Sequence, residues 1–312
     1  MSSFAPADIS PEAAHLDEVA DGVFGYVQPD GTWWINNCGV IAGTDRTVLI
    51  DTCGTERRTR HLLETVRART GTRVSTLINT HHHGDHTHGN YLVDQAVIVG
   101  HDKCRELIVD HGITKYEGLF DVEEWGDLRA RPPDLTFRDS LTLYIGDLRA
   151  ELYYAGTAAH TTNDIVVWLP EHSVLFSGDL VFNGGTPFAI MGSIAGSRTA
   201  MEFLRGFGAA TIIPGHGNIC GPEHIEKVDG YFDFIQQTAT AAHSAGLTPL
   251  QAAREADLGV FGELSDSERL VANLHRAYAE IDGLPPGGEL DIRPAIADMI
   301  AWNDGQPIRC FV

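Results

Sequence analysis

The sequence lacks a long hydrophobic run, a surplus of basic residues and a cysteine framework. No stretch approaches the ~18 consecutive apolar residues that a membrane-spanning helix needs. The chain has 22 Lys and Arg residues against 43 Asp and Glu residues, for a formal net charge of −21. Because such an acidic surface repels phosphate backbones and anionic headgroups, we expect neither a nucleic acid nor a membrane as a partner.

The five cysteines stand apart at positions 38, 53, 104, 220 and 310, and no two form a C-x-x-C pair. An odd, scattered set of this kind does not predict a disulfide framework. The opening M-S-S-F-A-P-A-D-I-S has no basic start and no apolar run, so it does not predict a signal peptide. These absences together predict a cytoplasmic protein with reduced thiols.

What the sequence does have is 312 residues with 43% hydrophobic content, enough for a large core. Without a repeat or a flexible linker, residues 1–312 predict a single domain, with a core at about 20–220 and a mostly helical extension at 221–312. Strands with interleaved helices predict two sheets sandwiched between helices.

Hydrophobic patterning predicts the elements of the core. A hairpin is predicted from 22–28 and 32–42 around a P-D-G turn. Further strands are predicted at 47–51, 74–80, 96–100, 141–145, 148–155, 164–169, 173–177 and 211–217. Helices are predicted at 56–69, 102–111 and 198–207, the last after a glycine-rich loop at 183–197. In the extension, Thr248 before Pro249 predicts a helix start, and Ser265 with Glu268 predicts a capping box.

Residues 80–90, T-H-H-H-G-D-H-T-H-G-N, hold five of the 15 histidines and follow a predicted buried strand. Neutral imidazole is the commonest metal ligand in proteins, and carboxylate also suits zinc. In an extended segment, residues two apart point the same way, so His81 and His83 can reach one ion together. Asp85 and His86 point elsewhere and can serve a second ion.

Two metal ions ~3.5–4 Å apart need ligands from more than one segment. Three further candidates follow or end predicted strands, and strand ends can converge at one edge of a sheet. They are His160, Asp179 and His216.

The other histidines have simpler interpretations. We interpret His82 and His88 as part of a solvated loop, and the remaining histidines as surface or capping residues. For Asp51, at the end of a predicted strand, two roles stay open: it caps nearby backbone amides, or it holds the histidine loop from behind.

The motifs T-H-H-H-G-D-H, G-T-A-A-H-T, S-G-D and P-G-H-G, in this order, resemble those of the metallo-β-lactamase superfamily. The resemblance implies an α+β fold, an αββα four-layer sandwich with two Zn²⁺ per chain at one edge of the sheets. The ligands implied for the first zinc are His81, His83 and His160. The ligands implied for the second zinc are Asp85, His86 and His216, and Asp179 is implied to bridge the two ions.

Departures from the family narrow the expected activity. Secreted β-lactamases of the main zinc subclass carry cysteine where Asp179 stands, so we do not expect antibiotic hydrolysis. Flavo-diiron oxygen reductases replace the second histidine of the first motif, whereas His83 is intact. The segment A-A-H-T-T around His160 differs from the G-H-T-P-G of many relatives, which leaves the geometry of that loop open.

A narrower resemblance concerns W-W-I-N-N-C-G-V-I, G-D-L-V-F-N-G-G-T-P-F and M-G-S-I-A-G-S. These segments are similar to the thioesterase/cyclases of bacterial aromatic (type II) polyketide pathways, which implies a role in antibiotic biosynthesis. Such enzymes release or ring-close a poly-β-keto chain held on acyl carrier protein. A docking patch for that acidic carrier would have to be basic, and Arg57, Arg58 and Arg60 are the candidate, although a plain surface helix is the first interpretation.

The expected chemistry is hydrolysis of an ester or thioester. Two zinc ions lower the pKa of a bound water to about 7, and we expect Asp85 to orient the attacking hydroxide and accept its proton. No dedicated acid is evident for an amine leaving group, so thioesters are favoured over amides. Alternatives are a dizinc hydrolase of a lactone or a glutathione thioester, a mono-iron sulfur oxygenase and a non-catalytic binding protein.

Several aromatic and apolar residues are candidates for the substrate pocket, although ordinary core packing is the alternative for each. One of two adjacent tryptophans is expected to face the pocket, a segment at 115–125 to cover it, and the glycine-rich loop to floor it. The candidates are Trp33, Trp34, Phe120, Trp125, Phe188 and Met191.

Overall fold

The computed structural model describes residues 9–122 and 124–312. The strands are β1 (His15–Ala20), β2 (Val23–Val27), β3 (Cys38–Ala42), β4 (Thr47–Ile50), β5 (Val74–Ile78), β6 (Val97–His101), β7 (Phe120–Asp121), β8 (Leu135–Phe137), β9 (Ser140–Ile145), β10 (Leu148–Tyr154), β11 (Ile165–Leu169), β12 (Val174–Asn183), β13 (Thr211–Gly217) and β14 (Ile308–Arg309). The α-helices are α1 (Glu56–Thr70), α2 (Gly84–Thr87), α3 (Asp102–His111), α4 (Ile194–Arg205), α5 (Glu223–Ser244), α6 (Pro249–Glu255), α7 (Arg269–Ile281) and α8 (Arg293–Trp302). Short 3-10 helices lie at Pro11–Ala13, Asn90–Leu92 and Gly259–Glu263.

Most of the strands form two mixed sheets that pack face to face. A seven-stranded sheet has the order β1-β2-β3-β4-β5-β6-β8, and a five-stranded sheet has the order β13-β12-β11-β10-β9. Apolar side chains that alternate along each strand fill the layer between the sheets, such as Val48 and Ile50 from β4 and Ile165 and Val167 from β11. This layer fixes the two sheets in one orientation.

Helices cover the outer face of each sheet, because the strands are apolar on both sides. Leu49 of β4 packs outward in a cluster with Leu62 and Val66 of α1. On the other side, Val166 and Trp168 of β11 belong to a cluster that includes residues of α4, α5 and α7. Four layers result, which confirms the predicted αββα sandwich and its helical C-terminal region.

The C-terminal region returns to the core of the fold. Helix α5 packs on α4 and β12, and α7 packs on α5, α6 and α8. The last strand, β14, pairs in parallel with β7, so the end of the chain holds the segment that precedes residue 123. Among the described residues, no helix is both long enough and apolar enough to cross a membrane.

The predicted hairpin forms only in part. Strands β2 and β3 pair antiparallel, but residues 28–37 leave the sheet between them. A side chain of this loop bonds to the backbone of the second sheet: Asn37 Nδ2 donates to the carbonyl oxygens of Pro214 (3.0 Å) and Gly217 (2.6 Å). Trp33 and Trp34 therefore lie in a loop between β2 and β3 that contacts the second sheet. Strand alternation does not decide which way their side chains point.

Two other expected boundaries are wrong. Asp179 does not end its strand, because β12 continues to Asn183 and its parallel pairing with β13 resumes at Phe182 and His216. The glycine-rich loop is shorter than expected, because Ser193 caps α4 by accepting a hydrogen bond from the backbone of Gly196.

In the extension, one helix start is confirmed and one is wrong. Thr248 and Gln251 form a complete capping box at α6. The predicted box of Ser265 and Glu268 is absent: the backbone of Ser265 bonds to the loop after β12, and α7 starts with Glu268 at the N-cap without a capping side chain.

Candidate metal centre

Seven side chains from four parts of the chain meet at one edge of the two sheets. Their potential ligand atoms form two groups, and within each group these atoms lie within 4.8 Å of one another. The first group is His81, His83, His160 and Asp179, and the second is Asp85, His86, Asp179 and His216. These are the residues that the motifs predict, in the predicted division, although their roles as ligands stay a prediction.

The first group joins the loop after β5 to the loop after β10. His83 Nδ1 lies 2.8 Å from His160 Nε2. The Oδ2 atom of Asp179 lies 3.2 Å from His160 Nε2 and 3.9 Å from His81 Nε2. Three imidazole nitrogens and one carboxylate oxygen therefore face a common point.

The second group joins α2 to β12 and β13. Asp179 Oδ1 lies 3.1 Å from His86 Nε2, and Asp85 Oδ2 lies 3.2 Å from His216 Nε2. Because its two oxygens approach different groups, the Asp179 carboxylate stands between them. Gly215 makes room for it, since a Cβ atom there would come within 1.9 Å of Asp179 Oδ1.

Hydrogen bonds to backbone carbonyls fix the direction of two of the imidazole rings. His160 Nδ1 donates to the carbonyl of Phe188 (2.6 Å), and His216 Nδ1 donates to the carbonyl of Gly31 (3.1 Å). A ring whose Nδ1 carries the proton presents a lone pair on Nε2, which is the atom that faces the group.

Asp51 combines the two roles that the sequence leaves open. Its Oδ1 accepts a hydrogen bond from the backbone of Thr80 (2.8 Å), and its Oδ2 lies 2.9 Å from His86 Nδ1. The Thr80 hydroxyl also donates to Oδ2 at 2.7 Å. The carboxylate thus caps the strand end and orients a histidine of the second group.

Buried polar atoms without partners show that the residues fit a pair of metal ions. Among the described residues, His81 Nε2 is buried without a hydrogen-bond partner, and His86 Nε2 and Asp179 Oδ1, 3.1 Å apart, are buried without forming a hydrogen bond. Such atoms are rare in folded proteins unless something else binds them. Nitrogen and carboxylate oxygen are the donor types that zinc takes, so the set is consistent with a dinuclear metal site.

The charges of the centre compensate each other. Burial works to raise the pKa of Asp179, but the imidazoles of His216, His86 and His160 outweigh it and hold that pKa well below its usual value. Burial likewise works to lower the pKa of His86, but nearby carboxylates, first that of Asp179, hold it well above its usual value. The buried carboxylate therefore stays ionised because imidazoles surround it.

Neither His82 nor His88 belongs to a group, but the solvated-loop interpretation is wrong for His88. It is 3% exposed and packs beside Trp34, with ring centroids 5.6 Å apart. His82 lies 3.0 Å from Asn163 Nδ2 through its Nδ1, and burial lowers its pKa to about 3. Both histidines hold the shape of the loop.

A pocket opens directly onto both groups and, with its mouth, encloses about 700 Å³. Its walls are mainly aromatic and aliphatic. The lining residues apart from the two groups are Trp33, Trp34, Gly84, Tyr116, Leu119, Phe120, Phe182, Phe188, Ile190, Met191, Arg269, Ile292, Ile296 and Met299.

Five of the six predicted pocket residues lie in that wall, and one does not. Both tryptophans line the pocket, because Trp34 has a positive φ of 67° and strand alternation does not apply. Trp125 is the exception: it packs behind Trp34, with ring centroids 4.6 Å apart. The sequence analysis missed Arg269 and the three residues 292, 296 and 299, which come from the C-terminal helices and their connection.

Comparison with known proteins agrees with this geometry. The sequence profile of the metallo-beta-lactamase superfamily matches residues 31–216, more than half of the chain. Among solved structures, a metallo-beta-lactamase from Pontibacter korlensis has a TM-score of 0.59 at 21% identity, and the alignment covers 70% of this chain and 99% of the other.

Curated relatives have several activities. The metallo-beta-lactamase type 2 of Bacteroides fragilis is 28% identical over 68% of this chain and 82% of its own. A hydroxyacylglutathione hydrolase of Rhodospirillum rubrum is 28% identical over about half of each chain. The acyl-coenzyme A thioesterase MBLAC2 of Bos taurus is 24% identical over 64% of this chain and 82% of its own.

The fold and the two His/Asp groups define a metal-dependent hydrolase. The chain belongs to the metallo-β-lactamase superfamily, since the family profile covers every residue of both groups. The relatives differ in substrate, so family membership gives the class of reaction and leaves the substrate open.

We expect His83→Ala to lose metal and His82→Ala to keep it, although the two residues are neighbours. The first change removes a ring nitrogen 2.8 Å from His160 Nε2, whereas His82 faces Asn163. Metal content per chain after dialysis, measured by plasma mass spectrometry, gives the comparison. Equal metal content in the two variants would contradict the assignment.

We expect Asp51→Asn to weaken metal binding roughly 10–100-fold, the usual effect of removing a group that orients a ligand. Asparagine has one acceptor oxygen in place of two, so its NH2 group would face either the backbone N–H of Thr80 or the Thr80 hydroxyl and His86. Competition with a zinc-binding dye measures the affinity. Asp102→Asn, at a surface pair with Arg138, is the matched control, and equal affinities in both variants would argue against this role.

Proposed function

We propose that the chain hydrolyses thioesters whose acyl group is largely apolar. The observation that carries the proposal is the aromatic and aliphatic pocket that opens directly onto both His/Asp groups. An acyl chain in this pocket would lose its contact with water while its carbonyl group lies at the metal centre. Burial of each methylene contributes about 0.8 kcal/mol to binding, so the pocket favours long chains.

When bound, two metal ions polarise a carbonyl oxygen and lower the pKa of a bound water toward neutrality. Asp85 is the proposed catalytic residue. It lines the pocket, and its Oδ2 lies 3.2 Å from His216 Nε2 and 3.6 Å from His86 Nε2. A carboxylate at this position can orient the attacking water and accept its proton.

The proposed leaving group is a thiolate. Among the described lining residues, Tyr116 carries the one hydroxyl group, and burial raises the pKa of that group to about 12. It is therefore a poor proton donor for an amine, which has to be protonated as it leaves. A thiolate leaves without a proton, and this difference favours thioesters over the amide bond of a β-lactam.

Two relatives are named for hydrolysis of acyl-coenzyme A and of hydroxyacylglutathione, which supports a thioester substrate. Of the two, the pocket favours a long apolar acyl group over the hydroxyacyl group in the name of the second relative, because its walls are mainly aromatic and aliphatic. The glutathione thioester is the second candidate because of that relative.

A finer proposal is a thioesterase/cyclase that acts on a poly-β-keto chain. It rests on the sequence segments that resemble those enzymes, and the aromatic walls suit a chain that folds into rings. Trp33 lies 5.0 Å from Phe120 and 5.1 Å from Phe188 between ring centroids, so three rings surround one part of the pocket. Metal stabilisation of an enolate would serve ring closure as it serves ester hydrolysis.

The finer proposal has acyl carrier protein as the partner. The three arginines that the sequence suggests as its docking site do not form a basic patch on this chain. Arg58 is 1% exposed and donates to Gln28. Arg57 and Arg60 pair with Glu12 and Glu56, which neutralises the remaining charge. A carrier would have to dock elsewhere on the surface.

We expect the zinc-loaded protein to hydrolyse octanoyl-coenzyme A with a kcat/KM at least roughly 100-fold above that for acetyl-coenzyme A. The reason is the added apolar area buried at about 0.8 kcal/mol per methylene. Steady-state thiol release measures both substrates, with the chelator-treated protein as the blank. A preference for acetyl-coenzyme A or lactoylglutathione would reject the apolar acyl substrate.

The finer proposal is tested with a poly-β-keto thioester in heavy-oxygen water. Mass spectrometry of the products separates the reactions: a labelled free acid indicates hydrolysis, and a product that has lost water indicates ring closure. We expect both. An untouched poly-β-keto substrate, beside an octanoyl thioester that is hydrolysed, would reject the polyketide assignment and keep the thioesterase.

A further inference from the structure

Arg269 is an unusual member of the pocket wall. It is the first residue of α7, it is 2% exposed, and apart from the His/Asp groups it is the one charged residue among the described lining residues. Burying a guanidinium in an apolar wall is costly unless its charge and its donors are satisfied. Its surroundings therefore indicate what it binds.

Aromatic rings and two polar partners hold the guanidinium in place. Its Cζ lies 4.1 Å from the ring centroid of Trp33 and 5.2 Å from that of Phe182. Nη1 donates to the carbonyl of Thr186 at 3.0 Å, and Nη2 forms an ion pair with Asp266 Oδ2 at 2.9 Å. These contacts hold the guanidinium in one orientation.

One donor of this fixed group is left over. Among the described residues, Arg269 Nε has no hydrogen-bond partner, although it is buried. A guanidinium that only ties the fold together has most of its donors met by protein, although Arg58, another buried arginine, also leaves its Nε unpaired. Arg276, two turns further along α7, fits that description, since its Nε and Nη2 both donate to the carbonyl of Ile190 and its Nη1 donates to that of Gly288.

The charges nearby select the kind of acceptor. Asp266 already pairs with Arg269, and the carboxylate of neighbouring Glu268 accepts a hydrogen bond from Trp33 Nε1. Two carboxylates beside the guanidinium would repel an anionic ligand. A neutral oxygen, such as that of a ketone or hydroxyl group, accepts a hydrogen bond without that penalty.

The position of Arg269 sets where this oxygen lies on the ligand. The ring of Phe182 stacks on the ring of His216, with centroids 5.1 Å apart, and the guanidinium also lies beside it. One aromatic ring therefore separates Arg269 from the metal centre. A substrate whose reacting carbonyl lies at the metals would meet Arg269 with an atom several bonds along its acyl chain.

We propose that Arg269 is a specificity-determining residue that selects acyl chains carrying a neutral oxygen at a distance from the reacting carbonyl. This inference rests on the proposed thioester hydrolysis and names a class of substrate within it. A saturated chain would fill the pocket but leave a buried donor unpaired. Sites built to pair with a substrate oxygen discriminate strongly against analogues that lack it.

The test compares acyl chains of one length on the zinc-loaded protein. The probes are the N-acetylcysteamine thioesters of octanoic acid and of three oxo-octanoic acids, with the ketone near, midway along or far from the thioester. We expect kcat/KM for one oxo thioester to exceed that for the saturated thioester roughly tenfold or more. Equal values across the wild-type series would overturn the proposal, and that comparison needs no variant.

Variants locate the preference at Arg269. Arg269→Lys keeps a positive charge beside Asp266 but removes the Nε donor, so the ratio of oxo to saturated kcat/KM should fall to near unity, whatever the change in absolute rate. Arg276→Lys is the matched control and should affect all four thioesters alike. An oxo preference that survives Arg269→Lys would overturn the assignment.

Binding separates this inference from the proposed function. The matching free acids are titrated into the zinc-loaded protein by calorimetry, with tryptophan fluorescence, to which Trp33 beside Arg269 contributes, as a second signal. Because every acid carries the same carboxylate, only the added oxygen differs. A binding preference without any thioester turnover would reject the hydrolase proposal and keep the Arg269 site, and turnover without any preference would do the reverse.

Discussion

The buried carboxylate of Asp179 is the group on which the rest of the centre depends. Removing a carboxylate from water is costly unless opposite charge and hydrogen-bond donors surround it. Its neighbours are the imidazoles of His81, His86, His160 and His216, which reach it from both sheets. The two-sheet sandwich makes this arrangement possible, because β12 and β13 run side by side and the loops after β5 and β10 reach the same edge.

The centre and the pocket are supplied by different parts of the chain. Every residue of the two His/Asp groups lies within the segment that the family profile matches, residues 31–216. Part of the pocket wall comes from beyond that segment, through Arg269 and residues 292, 296 and 299. One fold can act on several substrates when the reaction centre is shared and the pocket wall comes from another part of the chain.

Sequence patterns located the ligand candidates because spacing carries that information locally. His81 and His83 alternate along an extended segment, and three further residues follow or interrupt strands, so each motif is visible without tertiary structure. Asp51 is intermediate: its place after β4 was evident, but only the fold shows that one oxygen meets the Thr80 backbone and the other meets His86. The sequence predicted a solvated His88, but Trp34 packs against it and buries it. Nothing in the local sequence indicates that contact.

The sequence by itself determined the class of centre, the two-sheet architecture and the acidic character of the surface, because these follow from residue types and short-range periodicity. Only the tertiary structure decided which apolar residues face a ligand. Trp34 and Trp125 are both predicted to face the pocket, yet one lines it and the other packs behind it. The hydrophobic effect favours either position over water, so the choice depends on which distant segments, here the loop between β2 and β3 and the C-terminal helices, meet around the cavity.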